Sequence, residues 1–112
     1  MTEVENKLAI IKEAIEDKKG IDIEVINISK LTTIADYFVI VSGNSSNQAQ
    51  AIADGIDEKM MENGYERLAM DGYQSGRWIL LDYEDIIVHI FHREDREYYK
   101  LERLWKEDRI QQ

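Results

Sequence analysis

Trp78-Ile79-Leu80-Leu81-Asp82 and Ile86-Ile87-Val88-His89-Ile90-Phe91-His92, separated only by Tyr83-Glu84-Asp85, limit the fold more than any other part of this chain. Both runs are rich in β-branched and aromatic residues, and the polar break between them is short, so they read as a β-hairpin over Arg77–Asp82 and Ile86–His92. Side chains alternate across a strand. Trp78 and Leu80 point one way and Ile79 and Leu81 the other, while Ile86, Val88 and Ile90 oppose Ile87, His89 and Phe91. Both faces of the hairpin are therefore apolar. Helices must cover both, or cover one and leave the other for a partner. Joining the strands through a three-residue turn places His89 on the face opposite Trp78 and His92 on the Trp78 side.

The remaining elements supply those covers. Thr2 and Glu5 form a T-x-x-E capping box ahead of Val4, Leu8, Ile11 and Ile15, which recur at helical spacing. Lys18 and Lys19 suit the negative end of that helix, and Gly20 is its expected cap. Asp22 to Ser29 alternates as a strand. Asp36 to Ser42 is almost continuously apolar, as a central strand covered on both faces would be. Ser45 and Gln48 make a second box, S-x-x-Q, before Ala49, Ile52, Ala53, Ile56 and Met60, and that helix stops at Asn63-Gly64. Tyr65 to Asp71 is a weaker strand and Gly72 to Gly76 a turn. A last helix is expected from about Glu94 to Lys106, with Tyr98, Leu101, Leu104 and Trp105 inward. The order α-β-β-α-β-β-β-α gives an α/β (α+β) protein, a mixed five-stranded sheet with packed helices, in one domain over residues 1–112.

The 112 residues include no cysteine, so there is neither a disulfide framework nor thiolate chemistry. The N-terminus is charged throughout, unlike a signal peptide, and no apolar run is long enough to cross a bilayer. A cytoplasmic protein is expected. Net charge is −9, from 14 basic and 23 acidic residues. From Arg93 onward six basic residues balance six acidic ones, so the imbalance lies in Met1 to His92, with eight against seventeen. Such a surface repels phosphate backbones, which argues against direct nucleic-acid recognition. A basic protein partner is its natural complement. On charge alone, solubility is the simpler explanation.

Few residues suggest chemistry. His89 and His92 are three apart on a strand, a poor ligand spacing without further donors, so no metal is expected and His89 reads as a residue hydrogen-bonded within the sheet. Ser42-Gly43-Asn44-Ser45-Ser46 precedes a helix and could hold a phosphate there. A transferase would need paired carboxylates for magnesium on a neighbouring strand. Asp82 and Asp85, across a turn, are a weak substitute. The loop is more simply a strand-to-helix turn with a serine cap. No nucleophile elbow, phosphate-loop lysine or triad pattern occurs, so neither catalytic residues nor a cofactor are expected.

Several longer runs occur together in order: G-x-W-x-L-x-D-Y from Gly76, D-x-x-V-H-x-F from Asp85 and R-E-x-Y-x-L-E-x-L-W from Arg96. Leu31 to Ile40, Ser42 to Ser45, and Gln48 with Ala51 to Ala53 precede them. Together they resemble the ribosomal silencing factor family, the RsfS/Iojap proteins, over about Ile11 to Ile110. The resemblance implies a nucleotidyltransferase-like fold without known transferase activity. It also implies binding to the large ribosomal subunit through its universal protein fourteen, obstruction of small-subunit joining, translational repression, and a homodimer when free. A role in large-subunit assembly would use the same docking site.

On residue type alone Trp78 fits a core somewhat better than an interface. The family pattern reverses that preference and makes Trp78 the expected anchor, since tryptophan combines contact area with a polar N–H. Leu80 and Asp82 follow on its face. Asp82 is also a natural turn residue. Tyr83 and Asp85 sit at the turn and flank the expected contact.

Overall fold

The computed structural model describes residues 2–99, with side chains as far as residue 96. Leu101, Leu104 and Trp105 of the expected last helix lie outside the described residues. The elements in chain order are α1 (Glu3–Asp17), β1 (Ile21–Asn27), β2 (Tyr37–Gly43), α2 (Ser46–Glu62), β3 (Ala69–Asp71), β4 (Trp78–Asp82), β5 (Ile86–His92) and α3 (Arg93–Tyr99). They form a mixed five-stranded sheet in the order β1-β2-β5-β4-β3. Only the β2–β5 pair is parallel.

α1 starts as its sequence requires. The Thr2 side chain accepts from the Glu5 N–H at 3.1 Å, and the Glu5 carboxylate accepts from the Thr2 N–H at 2.9 Å. Its end differs from expectation. Lys19, not Gly20, takes the left-handed conformation, with φ of 61°. Gly20 serves close packing instead, since a Cβ there would lie 2.6 Å from Ile15 and 2.7 Å from Val41. At the start of α2 the Ser45 hydroxyl accepts from the Gln48 N–H at 3.1 Å. The Gln48 side chain does not close the reciprocal box. It accepts from the Asn44 N–H at 2.7 Å and donates to the Lys19 carbonyl at 2.9 Å, tying the end of α1 to the start of α2.

α1 and α2 lie on one face of the sheet. Ile11, Ile15, Ile52, Ile56 and Met60 pack there against Val39, Val41, Ile79, Leu81, Val88 and Ile90, all fully buried. Each such side chain contributes about 1.5–3 kcal/mol relative to an exposed one. The other face holds a second cluster of Ile26, Ile28, Ala35, Phe38, Ile40 and Phe91, with Trp78 and Ile87 partly buried against it. β2 and β5 are thus covered on both faces, as their near-continuous apolar sequences predict.

The strand expected at Tyr65–Asp71 shortens to three residues because Tyr65 is drawn back to the end of α2, its N–H donating to Met60 O at 2.9 Å. A lysine that periodicity treats as surface is buried instead. Lys7 Nζ reaches the Asp85 carboxylate at 3.3 Å and the Tyr83 carbonyl at 3.4 Å, and lies 5.3 Å from the Tyr65 ring centroid. It joins α1 to the turn between β4 and β5. Lys7→Met keeps the aliphatic stem and removes the charge, leaving the Tyr83 carbonyl and Asp85 without it. The expected loss is about 1–3 kcal/mol in urea unfolding, with an unchanged denaturant slope.

Candidate functional site

The turn at Tyr83–Ile86 decides which residues share a face. It is shorter than three residues: the Tyr83 N–H donates to Ile86 O at 2.9 Å, leaving Glu84 and Asp85 as the loop. The Asp85 N–H donates back to Tyr83 O at 2.9 Å around Glu84, whose φ is 73°. This is the uncommon γ-turn with positive φ at its centre. The Asp82 carboxylate accepts from the Glu84 N–H at 2.8 Å and helps hold it.

A turn one residue shorter shifts the strand pairing by one, which exchanges faces across the hairpin. The observed partners are Trp78 with Phe91, Leu80 with His89 and Asp82 with Ile87. His89 therefore lies beside Trp78, not opposite it, and His92 lies on the other face. Both assignments correct the expectation from a three-residue turn. The two histidines still face opposite ways, so they cannot share a metal ion.

Trp78, Leu80 and Asp82 line the outer side of β4, away from α1 and α2, and all three are half-buried. β3 adds Asp71 opposite Leu80 and Ala69 opposite Asp82 on the same face, both exposed. Asp71 was not among the expected site residues, because its position depends on the β3–β4 register, which its own segment does not encode. The start of β4 is close to Gly72, whose φ is 78°; a Cβ there would meet the Trp78 carbonyl at 2.1 Å. Only glycine fits that approach.

The indole is fixed from beneath. Its Nε1–H donates to His89 Nδ1 at 3.1 Å, and its ring lies 4.9 Å from that of Phe91. His89 is thus hydrogen-bonded within the sheet as expected, although to a residue placed on the wrong face by the longer turn. The Phe38 ring meets the imidazole edge-on at 4.7 Å. An imidazole that accepts at Nδ1 carries its proton on Nε2. His89 Nε2 is buried and has no hydrogen-bond partner among the described residues. Burial pushes the His89 pKa down from 6.5 to about 4.

Tyr83 and Asp85 are placed differently from Trp78. Tyr83 is 2% exposed, on the helix side, with its hydroxyl donating to Asp57 at 3.0 Å. Burial first, and then the Asp57 carboxylate, raise its pKa. Asp85 pairs with Lys7. These two residues brace the turn that flanks the β4 surface.

The phosphate-loop alternative is taken apart by the topology. The parallel register runs from Tyr37 with Ile86 to Gly43 with His92. The Ser42–Ser46 loop thus lies at the C-terminal end of β5, and Asp82 and Asp85 precede its N-terminal end. A strand of seven residues separates them, roughly 20 Å at the usual rise. The Ser42 hydroxyl accepts from Arg96 at 3.1 Å, while Ser45 caps α2. Among the described residues no three of His, Asp and Glu converge as metal ligands, and no helix is long and apolar enough to cross a membrane.

A mixed sheet with two helices buried against one face and a half-buried, tryptophan-bearing strand on the other makes this an α+β domain. The family model described as "Ribosomal silencing factor during starvation" matches residues 1–112. The chain belongs to the ribosomal silencing factor family. It is 43% identical over 98 residues to the ribosomal silencing factor RsfS of Bacillus subtilis, covering 88% of this chain and 83% of that one. The crystal structure of a Chromobacterium violaceum protein superposes with a TM-score of 0.91 at 34% identity, covering 94% of this chain and 88% of that one. A mouse protein named for mitochondrial assembly of the ribosomal large subunit is 30% identical over 89 residues, covering 75% of this chain and 38% of its own length.

The buried neutral imidazole gives a pH signature. Unfolded, His89 takes up a proton near pH 6.5; folded, it resists until about pH 4. Its contribution is therefore complete above pH 6.5 and falls as the pH drops through that interval, by about 3 kcal/mol in all. Carboxylates titrate in the same range, so the diagnostic quantity is a difference. Urea unfolding from pH 7 to pH 4 is expected to show a steeper loss for the wild type than for His89→Leu.

Proposed function

We propose that this protein is a non-catalytic silencing factor that docks on the large ribosomal subunit through the outer side of β4 and keeps the small subunit from joining. The observation that carries the reading is a half-buried indole beside Leu80, bordered by carboxylates that have no basic partner. Elsewhere several basic side chains pair with acidic ones: Lys59 with Glu13 and Asp17, Arg67 with Asp57, and Arg77 with Glu94 and Asp95. Among the described residues Asp71, Asp82 and Glu84 belong to no ion pair. An apolar centre with an acidic fringe suits a basic protein surface, and the family resemblance names that surface as the universal large-subunit protein fourteen.

Trp78 anchors the contact, Leu80 extends it and Asp82 accepts from partner lysine or arginine. The braced Tyr83–Asp85 turn shapes its border. Repression then requires no chemistry, because binding to the free large subunit competes with joining by mass action. The same resemblance favours a homodimer in the absence of ribosomes.

The name of the mouse relative favours a second reading, a role in large-subunit assembly, through the same surface. Comparing precursor particles from a deletion strain with those from its parent separates the two. An accumulation of immature large subunits supports assembly, and normal maturation with deregulated joining supports silencing.

Trp78→Ala is expected to lower cosedimentation with purified large subunits by at least about 30-fold, since a central tryptophan is commonly worth 2 kcal/mol or more. Its far-ultraviolet circular dichroism should stay native. Wild-type protein titrated into a joining mixture should reduce joined ribosomes in proportion to its occupancy, and sucrose gradients unchanged at saturation would reject the mechanism.

A further inference from the structure

A tryptophan at a contact surface normally offers two things, a large ring and an N–H that can meet an acceptor on the partner. Here the N–H is already committed. Trp78 Nε1 donates to His89 Nδ1 at 3.1 Å, inside the same sheet face. Leu80, the residue directly opposite His89 on β4, makes no polar claim on the imidazole. Phe38 on β2 and Phe91 two residues along β5 enclose it, with ring centroids 4.7 and 6.4 Å away.

The arrangement is costly for a residue whose only task is to fill space. Acceptance at Nδ1 forces the proton to Nε2, and that atom is buried without a partner among the described residues. A leucine or phenylalanine would fill the same volume with no orphaned polar atom. The one interaction the imidazole makes that such residues cannot is the bond to the indole.

We propose that His89 is a positioning residue for docking: by accepting the indole N–H it locks Trp78 in one orientation and leaves only the ring's hydrocarbon surface for the partner. This rests on the docking reading above and adds a chemical requirement to it. The partner position opposite Trp78 carries an aliphatic or cationic side chain lying on the ring, not a carbonyl or carboxylate awaiting an N–H. The lock removes rotamer freedom before binding, so less is lost on contact.

His89→Leu removes the acceptor and the orphaned nitrogen together. It is expected to fold with a midpoint at pH 7.5 equal to or above wild type, and to bind purified large subunits about tenfold more weakly. The Trp78 indole resonance in proton–nitrogen spectra, assigned with Trp78→Ala, should move upfield. His89→Asn places an amide oxygen near the position of Nδ1. It should return the resonance and bring affinity back to within about threefold of wild type, a rescue that a space-filling role would not show. In a Trp78→Phe background, which has no N–H to accept, His89→Leu should change affinity by less than about twofold.

Wild-type affinity in folded His89→Leu, alongside lost binding in Trp78→Ala, overturns the positioning role and leaves the docking reading intact. Retained binding in Trp78→Ala overturns both. Should His89→Leu not fold, Trp78→Phe carries the test alone, and wild-type affinity there overturns the positioning role.

Discussion

The two-residue loop at Glu84–Asp85 governs the arrangement of the outer sheet. β4 has period-two side chains, so the turn's length alone determines whether Trp78 stands over Phe91 or over Ile90, and therefore which face carries it. A positive φ at a glutamate is unfavourable in isolation, and the surroundings hold it there. Asp82 caps the Glu84 N–H from one side. Lys7 reaches across from α1 to Asp85 and the Tyr83 carbonyl. The Tyr83 hydroxyl is tied to Asp57 on α2. Both long helices thus clamp the turn from the covered face, and the register they secure is expressed on the opposite one.

Burial on that opposite face is graded. Over β2 and β5 it is complete at Ile40 and Phe91, and over β4 it falls to half at Trp78, Leu80 and Asp82. β3, three residues long, leaves Ala69 and Asp71 exposed at the margin. The gradient explains how an apolar ribbon can stay usable without becoming a liability. The Trp78 ring is supported beneath by Phe91 and His89, so its orientation is defined, and it stands where burial has begun to fall away. A fully exposed tryptophan would sample several rotamers, and a fully buried one would require the sheet to open.

Much of this was legible in the residues. The hairpin, the central run at Tyr37–Gly43, the Thr2 cap and the stop at Asn63-Gly64 each rest on a local rule that holds, whereas Gly20 as a cap and Gln48 as a box partner give way to contacts between α1 and its neighbours. The failures share a physical origin. Cross-strand parity depends on a hydrogen bond between Tyr83 and Ile86 that no composition signal distinguishes from a longer turn, and that single residue moved His89 and His92 to the wrong faces. Burial of Lys7 depends on Asp85 lying nearby, a contact 78 positions away in sequence. Asp71 joined the site only because three residues of β3 pair with β4. The fold class needed periodicity alone, whereas the site needed register, which is set by tertiary contacts.

The same register bears on whether the chain could also run the chemistry its loops suggest. A helix N-terminus with serines and a pair of aspartates are the parts of a phosphate and metal site, but parts act only when they converge. Here the parallel pairing of β2 with β5 puts them at opposite ends of one strand. The Ser42 hydroxyl receives Arg96, Ser45 caps α2, Asp82 caps the turn and Asp85 holds Lys7. Each of these four groups has a structural task at its own end of the sheet. Bringing them together would require β5 to slide by its full length, which would expose Val88, Ile90 and Phe91, all fully buried. A contact function asks for no such rearrangement, since Trp78, Leu80, Asp82 and Asp71 already share one surface in the resting fold.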